Sequence, residues 1–298
     1  MLSLHTNAAA LSAQNSITRT QGSLSTSQTR LSTGFRINSA MDDAAGLQIA
    51  TRLKAQTSGM AVAMRNTQNS ISMLQTGEGA LDETTNILMR MKDLATQAAD
   101  GSSTANDQTA MQKEFDSLTS ELSNIMTNTK FGGTALLTSG TGKLATAVDF
   151  QIGAGSTEKM SGDVSTELTQ VHTDLAAASL LYDGATGVAS AGGTEISGAT
   201  AAAGATAANA TIDKLATAID TVGALRSKLG AISNRLDHVY NNLSNISTNT
   251  KAATGRIMDT DFAAESSNMT SSQMLLQAGT AMLKQSNSTS SLVMSLLQ

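Results

Sequence analysis

Apolar residues recur at seven-residue spacing through both ends of this 298-residue chain, whereas the middle lacks that pattern. The longest run extends from Leu53 to Ala95 and is sustained over about six heptads, which is typical of a long helix packed in a coiled coil. We expect a helix over residues 45–99, which at about 1.5 Å per residue would be roughly 80 Å long. Its core row is Leu53, Met60, Thr67, Leu74, Leu81, Leu88 and Ala95, with Met73, Ala80, Ile87 and Leu94 beside it.

Two shorter helices flank this segment. The first runs from Leu4 to about Phe35 and carries so few charges that it needs a partner to stay folded. Gly34 and residues 38–46 indicate a break, in which Asp42 and Asp43 are placed to cap the long helix. After a turn at residues 100–104, apolar residues alternate by four and three, which predicts an antiparallel return helix. Its apolar positions are Met111, Phe115, Leu118, Leu122, Ile125 and Thr129.

The helical pattern returns at Ile212 and continues to the last residues. We expect this helix to be the partner of residues 45–99. Asp259 and Asp261 then favour the cap of a final helix over a cation site. The first of these helices has two apolar rows: Leu215, Val222, Leu229, Leu236 and Leu243, and beside it Leu225, Ile232, Val239 and Ile246. The row of the final helix is Phe262, Met269, Leu276, Leu283 and Leu297.

The middle of the chain follows different rules. Val148, Phe150 and Ile152 alternate with polar neighbours between glycines, which predicts a short β-hairpin. Residues 183–209 are almost wholly Ala, Gly, Thr and Ser, which favours a mobile, exposed tip that buries too little apolar area to form a domain.

The predicted fold class is therefore mainly α: a long antiparallel coiled-coil helical bundle formed by pairing N- and C-terminal segments, with a small β-hairpin and a short Gly/Ala/Thr-rich tip. Residues 1–44 with 255–298 would form an inner layer of terminal helices. Residues 45–182 with 210–254 would form a second helical domain that carries the hairpin, and residues 183–209 a variable surface tip.

Composition narrows the functional classes. There is no Cys, so disulfide and thiol chemistry are absent, and no Pro interrupts a helix. The net charge of −5 is spread along the chain without a basic stripe, which argues against nucleic acid. The start of the sequence lacks the features of a signal peptide, and no apolar run is long enough to predict a membrane span.

Residues suited to catalysis are scattered. His5, His172 and His238 lie far apart, and none has a metal-ligating partner at the spacing of one helical turn. Gly140-Thr-Gly-Lys143 lacks the first Gly and the Ser/Thr of a phosphate-binding loop. We therefore expect no enzyme activity, no cofactor and no metal.

Several blocks in the same order resemble bacterial flagellin, the subunit of the flagellar filament. The resemblance covers roughly residues 1–165 and 205–298. It is carried by Arg36-Ile-Asn-Ser-Ala40, Asp42-Asp-Ala-Ala-Gly46, Phe150-Gln-Ile-Gly-Ala154, Leu225-Arg-Ser-Lys-Leu-Gly-Ala-Ile-Ser-Asn-Arg235, Ser267-Asn-Met269 and Gln277-Ala-Gly-Thr280. The Met-rich helices and the Met1-Leu-Ser-Leu-His-Thr-Asn7 start are similar to those of lateral flagellins.

The resemblance implies a secreted, extracellular filament subunit, exported unfolded by the flagellar type III system and added beneath a cap. Its implied partners are copies of itself, the cap and hook-junction proteins, and an export chaperone at the C-terminal segment. An alternative is a hook–filament junction protein or another type III filament or tip component. The junction pattern has Pro near the paired aspartates, where this chain has Ala44 and Ala45. We expect the inner-layer filament interface to use Leu24, Leu31, Phe262, Met269, Leu276 and Leu283.

The segment Leu88-Met-Arg-Met-Lys-Asp-Leu-Ala-Thr-Gln97 resembles the stretch of many flagellins that Toll-like receptor 5 recognises. By that likeness Arg90, Leu94 and Glu114 would be receptor contacts. Leu94 is equally a core position of the heptad run.

Overall fold

Helices account for most of the computed structural model, which describes residues 7–185 and 192–296. The mainly α prediction is confirmed, because long helices occupy both terminal parts of the described chain and its strands form short hairpins. The helices are α1 (Ala8–Thr33), α2 (Ala44–Ala98), α3 (Ala105–Asn128), α4 (Ser165–Ala178), α5 (Ala201–Met258) and α6 (Phe262–Leu296). The strands are β1 (Lys130–Phe131), β2 (Thr134–Ala135), β3 (Val148–Gln151) and β4 (Lys159–Gly162).

Helix α2 begins at the break that the sequence predicts, and Asp42 and Asp43 make different hydrogen bonds there. The Asp43 carboxylate accepts a hydrogen bond from the Gly46 N–H at 2.8 Å, which satisfies one of the free donors of the first turn. Asp42 instead accepts from the backbone N–H groups of Asn38 and Ser39 and closes the preceding turn. Only Asp43 therefore caps α2.

The contacts of the chain divide it into two compact units. The first comprises residues 1–57 and 247–298, and the second residues 58–246. Both divisions fall inside the long helices α2 and α5, whereas the sequence predicted them near the helix breaks at 44/45 and 254/255. A helix that runs on through a boundary leaves no break in the sequence to mark it.

The core of the second unit is built from the predicted rows. From Met60 to Ala95 every member of the α2 row is buried, and on α5 the row from Leu215 to Leu243 is buried as well. The one polar member on α2, Thr67, donates its hydroxyl to the Ala63 carbonyl at 2.8 Å, which makes its burial tolerable. Helices α2 and α5 are also joined by an ion pair of Arg226 with Asp82 at 2.8 Å.

Helix α3 starts with a capping box, in which the side chains of Thr104 and Asp107 each accept a hydrogen bond from the other residue's backbone N–H. The buried side-chain amide of Gln108 then donates to the carbonyls of Ala98 and Ala201, at 2.9 and 3.0 Å. One glutamine therefore joins the end of α2, the start of α3 and the start of α5.

Two hairpins occur among the described residues, where the sequence predicted one. In the predicted hairpin, β3 pairs with β4 and Phe150 lies opposite Met160. The second joins β1 to β2 through Gly132 and Gly133, whose positive φ angles of 58° and 82° suit a two-residue turn. Its two-residue strands are too short to show an alternating pattern. Helix α4 was also not predicted, although Leu168, Val171, His172 and Leu175 place one buried face at helical spacing.

The expectation of an exposed tip over residues 183–209 is wrong for much of that segment. Ile196 is completely buried, and α5 begins at Ala201, ahead of the predicted Ile212. Polar contacts hold this segment in place. The Glu195 carboxylate accepts hydrogen bonds from the Leu180 N–H and from the Gln112 side-chain amide, both at 2.7 Å. Composition could not reveal these bonds. Residues 186–191 lie outside the described residues.

A buried hydrogen-bonded histidine lies beside this segment. His172 Nε2 is 2.8 Å from the Leu137 carbonyl, and Nδ1 is 2.6 Å from the Tyr182 hydroxyl. Because a carbonyl only accepts, Nε2 carries the proton and Tyr182 donates to Nδ1. Burial lowers the pKa of His172 below its ordinary value of 6.5. The core therefore holds His172 neutral.

The first test concerns the α5 register. We expect Leu229→Ala to lower the free energy of unfolding by about 2–5 kcal/mol, because Leu229 is 1% exposed. Ser227→Ala, at an exposed position two residues away, should be near neutral. Urea unfolding followed by circular dichroism measures both, and equal effects would contradict the register.

The second test concerns pH. Since the folded-state pKa of His172 is lowered, the unfolded chain binds more protons near pH 6, so stability is complete above the unfolded value near 6.5 and falls as the pH drops through it. Between pH 7 and 5.5 the free energy of unfolding should fall by up to about 1.4 kcal/mol per pH unit, the limit for one proton. His172→Asn should remove this slope, whereas His238→Ala, at an exposed position on α5, should keep it. The same slope in the His172 variant would refute the assignment.

Candidate assembly and receptor-contact surfaces

The terminal helices α1 and α6 pack against each other in antiparallel fashion within the first unit. At one end Asn7 Nδ2 donates to Ser286, and at the other Arg30 pairs with Glu265 at 3.7 Å. Between them Ile17 packs onto Gly279, where an added Cβ would lie 2.9 Å from Ile17 Cγ1. The two chain ends therefore form one closely packed seam.

Most of the predicted interface residues lie on this seam. Ile17, Leu24 and Leu31 share one face of α1 at seven-residue spacing, and all three are half-buried. On α6 the half-buried positions Met269, Leu276 and Leu283 follow the same spacing around Gly279. Phe262, at the start of α6, is instead more than half exposed. The seven-residue pattern thus identified the face that joins α1 to α6 inside the chain.

A set of exposed apolar side chains in the first unit was, apart from Phe262, missed by sequence reasoning. It comprises exposed large side chains on the terminal helices and on the segments beside them. No charged residue occurs from Ser266 to Leu283, so this stretch of α6 has no charged face on either side. This uncharged run is the sequence feature that could have indicated the exposed apolar side chains of α6. The exposed residues are Leu11, Phe35, Met41, Ile49, Phe262, Met274, Leu275 and Met282, which we call the free apolar surface.

The end of α1 is fastened to the end of α5 by backbone hydrogen bonds. Gly34, with a φ of 75°, ends α1 in the left-handed conformation. Its carbonyl accepts from the Thr260 N–H at 3.0 Å, and the Arg36 N–H donates to the Met258 carbonyl. The Arg36 guanidinium also donates to the Ile257 carbonyl at 2.9 Å, where a cation meets the negative end of α5. This junction holds the two terminal segments in register.

The predicted receptor contacts fall into two groups. Arg90 on α2 and Glu114 on α3 are both about half exposed and form an ion pair at 2.6 Å. Leu94 is 2% exposed and belongs to the hydrophobic core of the second unit. The expectation that Leu94 is a receptor contact is therefore wrong for this structure, because its side chain faces the core. Arg90 and Glu114 form one surface site that a partner can reach.

Within residues 7–185 and 192–296, no three His, Asp or Glu side chains are grouped as metal ligands. No helix in those ranges combines the length and apolar character that crossing a membrane requires.

Comparison with known proteins identifies the family of this chain. The family model for the bacterial flagellin N-terminal helical region matches residues 4–141, and that for the C-terminal helical region matches residues 212–297. The chain belongs to the bacterial flagellin family. Flagellins are structural proteins of the flagellar filament, so this chain is a filament subunit, and this function is favoured over that of a hook–filament junction protein.

Individual relatives agree. Flagellin A of Vibrio anguillarum is 35% identical over 382 aligned positions that cover the whole of both chains. Polar flagellin F of Vibrio parahaemolyticus is 48% identical over 173 residues, 58% of this chain and 44% of that one. A solved structure described as a flagellar hook-associated protein from Vibrio parahaemolyticus covers 73% of this flagellin and 100% of its own chain. Its TM-score is 0.53 at 16% identity, so it shares the fold alone.

Proposed function

We propose that this flagellin polymerises by placing the free apolar surface of its first unit against a second copy of the chain. The observation that carries the proposal is the exposure of Met274, Leu275 and Met282, each at least 60% exposed on α6. The opposite face of α6 already packs on α1. Apolar side chains exposed in this number on an uncharged stretch of helix are costly in water and favour burial by a partner.

The contact between copies is expected to be heterologous. One copy presents its free apolar surface to a different face of the next, so the assembly does not close on itself and grows as a helical filament. Residues on the α1–α6 seam, such as Leu24 and Leu276, then act indirectly by holding the surface in shape. Phe262 is the member of the predicted interface set that lies on the free apolar surface itself.

The route of export follows as a second part of the proposal. The chain leaves the cell unfolded through the flagellar type III channel and folds beneath the filament cap. Two features support this: no Cys is present to form a cross-link, and α1 finds its helical partner only at the far end of the chain. An extracellular filament assembled in this way needs the protein to be secreted.

The same surface accounts for the proposed accessory partners. Before assembly the exposed side of α6 has no copy to cover it, so an export chaperone would bind the C-terminal segment. The first and last subunits of a filament would contact the hook-junction and cap proteins through the faces that other subunits use for one another.

A second function, recognition by Toll-like receptor 5, is favoured by the Arg90–Glu114 pair. These two side chains come from different helices and are held together on the surface of the second unit by bonds of 2.6 and 3.0 Å. A charged site of fixed geometry suits a complementary receptor surface.

The third test removes residues 262–298. We expect soluble monomer and no filaments at neutral pH, because α1 loses its partner and the exposed side of α6 is gone. Electron microscopy and sedimentation check assembly, and circular dichroism checks that the helices of the second unit remain. Full-length Leu275→Glu is the second variant, since it places a charge on the free apolar surface without touching the seam. Filaments of normal length from either protein would contradict the proposal.

The fourth test addresses the receptor. Arg90→Ala and Glu114→Ala should each weaken receptor activation by the monomer by at least about tenfold, equivalent to about 1.4 kcal/mol. Stability should change by less than about 1 kcal/mol, because the pair is exposed. Asp93→Ala, at another exposed position of α2, is the matched control. A reporter-cell assay measures activation, and unchanged activity of both variants would contradict the assignment.

A further inference from the structure

The methionines of this flagellin differ widely in exposure, and Met89 on α2 is 47% exposed. Met60, Met73, Met91, Met126 and Met160 are buried in the second unit. Three others lie on the free apolar surface of the first unit: Met41 is 96% exposed, Met274 60% and Met282 68%. The sequence contains fifteen Met and no Cys, so thioethers carry all of its sulfur chemistry.

Met41 stands at the tip of a firmly held turn. The Asp42 carboxylate accepts from the N–H groups of Asn38 and Ser39, at 3.1 and 2.9 Å. The Asn38 side chain donates to the Phe35 carbonyl at 2.9 Å, and Asp43 caps the helix that follows. These bonds fix the backbone while leaving the Met41 side chain almost without contacts. Such a side chain adds nothing to the fold of the monomer and is available to a neighbour.

Met274 and Met282 lie on the exposed side of α6, two turns apart, with Leu275 and Ala278 between them. None of the residues from 266 to 283 is charged, so the surface around both thioethers is apolar or neutral. A second copy of this chain is the occupant that fits, because the chain is a filament subunit and both methionines are exposed on the side of α6 that faces away from α1.

We propose that Met41, Met274 and Met282 are oxidation sites that control assembly: peroxide converts them to sulfoxides in the monomer and thereby blocks polymerisation, whereas packing in the filament protects them. The inference rests on the proposed function. One oxygen atom passes from the peroxide to the thioether sulfur, which is oxidised by two electrons, and the peroxide is reduced to water. The sulfoxide is polar, so burying it against a neighbour is unfavourable.

The fifth test is an oxidation footprint. Monomer and filament at equal subunit concentration are treated with hydrogen peroxide, and the sulfoxide at each Met is measured by peptide mass spectrometry. In the monomer the three sites should oxidise at least about fivefold faster than fully buried Met126, following their accessibility. In the filament their oxidation should slow by at least about tenfold, because a neighbouring copy excludes the oxidant.

A variant comparison links the footprint to assembly. Oxidised wild-type monomer should keep its circular dichroism spectrum yet fail to form filaments. The triple variant Met41→Leu, Met274→Leu, Met282→Leu keeps the apolar area without sulfur, so it should assemble both before and after peroxide. The matched control Met126→Leu should assemble only before treatment.

Two sets of results would overturn the inference. One is filaments in which the three methionines oxidise as fast as in the monomer. The other is a triple variant that fails to assemble untreated, or that peroxide inactivates as fully as wild type. Failure of untreated wild-type protein to form filaments would instead count against the proposed function, so the two proposals fail separately.

Discussion

The fold of this flagellin depends on one constraint: each terminal helix buries its apolar face only on a partner from the other end of the chain. Helix α1 packs on α6, and the backbone bonds of Gly34 and Arg36 with residues 258–260 lock the ends of α1 and α5 together. The helix that packs on α1 is α6, at the other end of the chain, so this pair forms only when both ends of the sequence are present. Such a core is compatible with the proposed export of the chain in unfolded form, because α1 lacks its partner α6 until the end of the chain is present.

The terminal helices carry few charges, and many of their polar side chains are hydroxyls that hydrogen-bond to the backbone of their own helix. Along α1, Thr20, Thr29 and Thr33 each donate to the carbonyl four residues earlier, at 2.9 to 3.0 Å. A hydroxyl bonded in this way keeps its hydrogen bond when water is removed, so its burial costs less than that of an unpaired donor. The terminal helices therefore combine a polar composition with surfaces that tolerate dehydration. This property suits a helix that is exposed in the monomer and covered in a filament.

Periodicity predicted much of the fold and less of the candidate surfaces. The α2 and α5 rows were found because burial over many heptads repeats one signal, and Leu229 is as buried as its spacing indicates. The hairpin at Gly132 and Gly133 was missed because its two-residue strands are too short to show alternation. The anchorage of Glu195 was missed because its contact with Gln112 joins residues distant in sequence. The same limit affected the surfaces. The heptad row identified the α1–α6 seam, whereas Met274 and Met282 fall outside it.

The anchors around residues 183–195 explain how this flagellin can differ in length from its relatives while keeping its helices. On one side the His172–Tyr182 bond fixes the chain as it leaves α4, and on the other Glu195 and Gln112 fix it before α5 begins. The family models leave residues 142–211 unmatched, and the alignment with Flagellin A of Vibrio anguillarum runs to 382 positions, more than the 298 residues present here. A longer segment between the two anchors would change neither the α2 nor the α5 row. The hydrogen bonds of His172 and Gln112, together with the buried side chains of Tyr182 and Ile196, hold the chain to the core on both sides of this segment.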